Sequence, residues 1–214
     1  MADIVAPAAR QFRPPARGDR RLLQLRPRAR SDHTMTTVQD LSDAGRRMYR
    51  GAFFLFVLAE AMIFVTLFST RFLLAGMGHP AEVNGSLGLA VTLLLVASLA
   101  PLFAGINRIR AGRRGAGMLG VAALLGALAL ALIVYDWATL AIPVGSRYGE
   151  NYVMSTGYHA LHILLGLTGL LIVAGADSRR EFNAANHWQV GAAAVFWSFV
   201  VLTWIALFAV FFIF

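Results

Sequence analysis

The sequence predicts an all-α integral membrane protein, a bundle of five transmembrane helices with the N-terminus inside and the C-terminus outside. Three observations carry that expectation. The 214 residues are 58% hydrophobic, and the mean hydropathy of +0.64 lies outside the range of ordinary soluble domains. Five apolar stretches are each long enough to cross a hydrocarbon core of about 30 Å at about 1.5 Å per residue. Arginine is distributed so unequally between alternate loops that the two sides of the membrane are told apart.

The first 45 residues are rich in Arg, Ala and Pro and show no apolar period, so they read as a disordered tail. They lack the apolar central run of a secretory signal. Met35 is an alternative start, since the residues after it read as a short polar lead-in to a helix. The membrane domain then covers residues 46–214. Arg46, Arg47, Tyr49 and Arg50 suit a helix start at headgroup level.

The first span is expected at about 51–75 and ends before the breakers Gly78, His79, Pro80 and Asn84. A second covers about 86–106, with Pro101 at the place where a kink would fall. After an arginine-rich turn, a third runs over about 116–135 and is closed at an interface by Asp136 and Trp137. The fourth covers about 152–174, after a loop carrying Pro143, Arg147 and Glu150, and the fifth about 188–214, opened by His187 and Trp188. All 19 basic residues are Arg: eleven in the first 50 residues, four in the loop 107–114 and two in the turn 177–181. The net charge of +8 therefore marks the inner face of a bilayer rather than a nucleic-acid surface.

Cysteine is absent, which excludes disulfides, thiolate metal sites and cysteine nucleophiles. Neither a phosphate-binding glycine motif nor a hydrolase triad is legible, so an independent enzyme is disfavoured. The polar residues inside the spans are more informative. Glu60 lies roughly 13 Å from the inner end of its helix and His162 roughly 15 Å from the outer end of its own, so both reach the middle of the bilayer. A charge at that depth costs about 2.5–3.5 kcal/mol, so it normally has a partner or a function. Two readings stay open: Glu60 pairs with His159 or His162, or each group is satisfied separately by backbone, water or lipid. His159, His162, Gly166, Gly169 and Val173 follow a spacing of 3, 4, 3 and 4 on one helical face, extended by Thr156. That pattern fits close packing against a neighbouring helix. Two His three residues apart could join a metal site, but the further ligands from other helices are not evident. No metal or cofactor bound by this chain is expected.

Three segments together resemble subunit III of the haem-copper respiratory oxidases, over about residues 46–214 and in that family's order. LAEAMIFVTLFSTRF is similar to its acidic helix, with Glu60 at the position of the carbodiimide-reactive glutamate. TGYHALHILLGLTGLLI matches its His-containing helix at Thr156, Gly157, His159, His162 and Gly166. GAAAVFWSFVVLTWIALF resembles the closing helix at Ala192, Ala193, Trp197, Phe199, Val200 and Trp204. It departs from the pattern where Gly191, Ser198 and Val201 stand in place of Glu, His and Asp.

The resemblance implies the five-helix bacterial form, in the bacterial inner (cytoplasmic) membrane. It also implies an accessory role: packing against oxidase subunit I and also subunit II, binding structural phospholipid and supporting proton uptake, with haem and copper in the partner. Glu60, His159, His162 and Thr156 would then form the buried polar environment, and Gly157, Gly166 and Gly169 the helix-packing face. Trp197, Phe199 and Trp204 would contact subunit or lipid. The alternatives are an accessory subunit of a nitric oxide reductase and, from a different class, a small proton-coupled transporter using Glu60 as its carrier.

Overall fold

A computed structural model describes residues 43–78, 80, 83–143, 145–179, 182 and 188–213. The first 42 residues, with His33 and Met35, together with His79 and His187, lie outside the described residues. Five helices follow in order: α1 (Asp43–Ala75), α2 (Gly85–Arg110), α3 (Ala116–Thr139), α4 (Arg147–Ser178) and α5 (Trp188–Phe208), the last passing into a π-helical turn, Ala209–Ile213. Each is long and apolar enough to cross a membrane, and no strand occurs among the described residues.

The helices outrun the hydrophobic stretches that announce them. Helix α4 begins at Arg147 rather than near 152, because Ser146 caps it by accepting a hydrogen bond from the Gly149 amide at 3.0 Å. Tyr148 and Asn151 are thereby helical and not loop residues. Asn84 caps α2 in the same way, accepting from the Leu87 amide at 3.2 Å. Helix α2 runs on to Arg110 through Pro101.

Helices α2 and α3 pack as a close hairpin. Gly112 turns the chain at φ +70°, a conformation that favours glycine. A Cβ on Gly115 would overlap the Gly105 carbonyl, so this approach needs a residue without a side chain. The free amides at the start of α3 are satisfied from α4: the Asp177 carboxylate accepts from Gly115 N at 2.8 Å and Ala116 N at 2.7 Å.

Trp197 of α5 is the centre of the bundle. Its ring is wedged between two glycines, since an added Cβ would overlap it at Gly126 of α3 and lie 2.7 Å from it at Gly166 of α4. Its indole N–H donates to Ser98 Oγ of α2 at 2.8 Å. Four helices thus meet at one side chain. Trp204 is held one further stretch along α5 by donating to Thr92 Oγ1 at 2.9 Å. Their exposures, 0% and 2%, correct the expectation that these tryptophans contact a subunit or lipid. The indole N–H explains the difference: inside hydrocarbon it needs a partner, and α2 supplies hydroxyls.

Helix α1 stands apart from this core. It packs on α4 and α5, yet only 6% of its most apolar stretch is buried, against 33–39% in the other four helices. A Cβ on Gly166 would meet the Trp197 ring, whereas Gly157 and Gly169 have no atom within 4 Å of where a Cβ would be. Helix packing within the chain therefore does not use those two; the buried stripe of α4 passes between them through His159, His162, Gly166 and Leu170.

Candidate functional site: an acid–imidazole contact between α1 and α4

Glu60 projects from the middle of α1 toward α4, where Tyr158 and His162, one turn apart, share the facing side. The Tyr158 hydroxyl donates to Glu60 Oε2 at 2.6 Å. His162 Nε2 lies 3.2 Å from the same oxygen. The other ring nitrogen, Nδ1, is 2.8 Å from the Tyr158 carbonyl oxygen. A carbonyl only accepts, so Nδ1 carries a hydrogen. Neutral His162 therefore turns an unprotonated Nε2 toward Glu60, and the contact requires one more proton. It sits either on the carboxyl or on the imidazole, and both arrangements have zero net charge. That neutrality lets two titratable groups persist in a bilayer.

An aromatic wall encloses the pair. Phe64 packs 5.1 Å from the His162 ring and 5.2 Å from Tyr158, while Phe196 stacks on His162 at 6.1 Å and Phe199 meets it edge-on at 6.2 Å. His162 is 3% exposed and Glu60 18%. The carboxyl thus keeps one side toward the surface of the bundle.

The other two polar residues singled out from the sequence are elsewhere. Thr156 accepts from the Trp137 indole at 2.9 Å and donates to the Tyr152 carbonyl at 2.7 Å, joining α3 to α4. His159 is fully buried between Phe64 and Trp204, with ring centroids 6.1 and 5.2 Å away. Neither of its nitrogens has a hydrogen-bond partner among the described residues. No group of three His, Asp or Glu that could hold a metal occurs among the described residues.

Sequence reasoning missed three participants. Tyr158 carries the shortest bond to Glu60, and its position four residues before His162 was the available signal. Asp136, read as an interfacial residue, is 8% exposed and accepts from the Tyr152 hydroxyl at 2.6 Å. Arg71, in the last turns of α1, is completely buried. Its guanidinium donates to the Gly76 and Gly78 carbonyls at 2.5 and 2.7 Å and lies 4.6 Å from the centre of the Tyr148 ring. Tyr148 in turn stacks on Tyr152 and donates to the Phe211 carbonyl in the π-helical turn at 2.7 Å. This buried cluster joins α1, α3, α4 and α5 at one end of the bundle.

Comparison with known proteins places these features in a family. The family described as cytochrome c oxidase subunit III matches residues 32–214. Cytochrome c oxidase subunit 3 of Thermostichus vulcanus is 31% identical over 168 residues, covering 74% of this chain and 83% of that protein. Its namesake from Synechocystis sp. is 28% identical over 165 residues, 72% of this chain and 70% of that protein. The match to the Drosophila melanogaster subunit, 33% identical, is confined to 86 residues and one third of that protein. A five-helix membrane bundle matched over nearly its whole described length is thereby identified: the chain belongs to the cytochrome c oxidase subunit III family.

Proposed function

We propose that this chain is a non-catalytic accessory subunit of a respiratory haem-copper oxidase in a bacterial cytoplasmic membrane. The family match over residues 32–214 is the observation that carries the reading. In this role the chain packs against the catalytic subunit I and beside subunit II, which hold the haem and copper, and retains phospholipid. The under-packed face of α1 supports such contacts: Leu55, Leu58, Met62 and Val65 recur along it at 49–64% exposure, and covering them needs a neighbour or lipid. This face takes the role expected of Trp197 and Trp204. Glu60 and His162, sharing one proton on the opposite side of α1, where it packs on α4, supply a neutral but protonatable group to the complex. The tail is proposed to lie in the cytoplasm, because the eleven arginines of the first 50 residues belong on the positive side.

Affinity purification of the tagged chain from mildly solubilised membranes tests the reading. Haem-bearing oxidase polypeptides are expected to co-purify, with no haem retained by the isolated chain. Recovery of the chain alone, with substrate-dependent proton transport in liposomes, would overturn it in favour of a transporter.

A further inference from the structure

Beyond the Glu60–His162 pair, the α1–α4 seam holds polar side chains about one helical turn apart. Asn151 Nδ2 donates to Thr70 Oγ1 at 2.9 Å, and Ser155 Oγ to Asn151 Oδ1 at 3.3 Å. Asn151, Ser155, His159 and His162 follow spacings of 4, 4 and 3 and so share one face of α4. All four are at most 8% exposed. The line is anchored to α1 at both ends, by Thr70 and by Glu60, over about 15 Å of helix. Its middle is different, because there α1 and α5 offer the rings of Phe64 and Trp204 instead of hydrogen-bonding groups.

His159 sits in that middle with both ring nitrogens buried and unpartnered among the described residues. In either tautomer a neutral imidazole presents one N–H and one lone pair. Burying both without partners is unfavourable. Water is the smallest molecule that accepts from one group and donates to another, and buried waters occur where polar groups lack partners.

We propose that His159, with Ser155 one turn away, binds water in the α1–α4 seam, and that this water is the route by which the proton shared by Glu60 and His162 exchanges with solvent on the Asn151 side. Exchange takes two steps: the O–H or N–H bond at the pair breaks as its proton passes to the water, and the water, after trading protons with the next water toward Asn151, returns a different proton to the pair, so that the number of protons on each is unchanged. No redox partner is needed. The proposal concerns this chain alone and stands whichever subunits it assembles with.

The test uses the full-length chain labelled with ¹⁵N-histidine in phosphatidylcholine–phosphatidylglycerol vesicles, read by solid-state NMR. Magnetisation transferred from water is expected to reach the His159 ring nitrogens, identified by their loss in His159→Phe. Exchange of the proton between His162 Nε2 and Glu60, read at the Nε2 resonance in deuterated buffer, is expected to slow about tenfold in that variant. Should His159→Phe fail to fold, Ser155→Ala makes the same comparison. Absence of water transfer to His159 would overturn the site, leaving its N–H directed at the ring faces of Phe64 and Trp204. Water transfer with wild-type exchange at His162 in the variants would overturn the route.

Discussion

Glu60 Oε2 and His162 Nε2 face each other at 3.2 Å, and single substitutions separate what the pair does for stability from what it does for proton chemistry. Glu60→Gln keeps the size of the side chain and, with its amide oxygen at the position of Oε2, still accepts from the Tyr158 hydroxyl. It is therefore predicted to change thermal stability by less than about 1 kcal/mol while removing the shared proton, so that sustained turnover of the assembled oxidase falls. His162→Leu leaves a carboxyl at mid-bilayer with one hydrogen bond fewer, and is expected to cost about 1–3 kcal/mol. Thermal melts of the two variants, with turnover followed over time, check both. Equal melting loss in the two would show that the proton itself is structural. The depth match of Glu60 and His162 was legible, because helical rise converts position in a span into height. The tyrosine was not, because a hydroxyl on an aromatic ring reads equally well as an interface anchor or a core residue.

At the scale of elements, α5 is keyed into the bundle by shape. Trp197 occupies the notch made by Gly126 and Gly166, so Gly166→Leu overfills it and is predicted to destabilise the bundle by about 1–3 kcal/mol. Trp197→Phe retains much of the packing and removes the bond to Ser98, for which a loss of about 0.6 kcal/mol is expected, the average for interhelical hydrogen bonds in membranes. Unfolding in mixed micelles distinguishes the two, and a larger effect for Trp197→Phe would show that the hydrogen bond, more than the shape of the notch, holds α5 in place. Helix α1 depends on another device. Arg71 binds the Gly76 and Gly78 carbonyls just beyond the end of α1 and rests on Tyr148 of α4. Arg71→Met removes these contacts together. Hydrogen exchange is predicted to rise first at the C-terminal end of α1 while α2 and α3 keep wild-type protection; uniform protection in all helices would show that packing alone holds α1.

For the molecule as a whole, the chain's lack of cysteine makes orientation measurable with one introduced thiol at a time. Arg113→Cys, in the α2–α3 turn, is predicted to react with a membrane-impermeant maleimide from the cytoplasmic side, and Gly145→Cys, before α4, from the opposite side. The reverse pattern would invert the topology drawn from the arginine count.

The number of helices, the approximate place of each span, the family and the matching depths of Glu60 and His162 are legible in the sequence, whereas the choice of His162 over His159 as the partner of Glu60 is not. These follow from quantities that add along the chain: apolar length, loop charge and rise per residue. Which faces of α2, α3 and α5 turn inward is visible only in three dimensions. Lipid tails are as apolar as a protein core, so helices such as α3 and α5 carry little amphipathic signal, and Trp197, Trp204, Arg71 and Asp136 read as surface or interface residues until their partners on other helices are known. The partners Ser98, Thr92, Tyr148 and Tyr152 all lie on other helices than the residues they satisfy. That is why the core of this bundle, unlike its spans, could be read only in three dimensions.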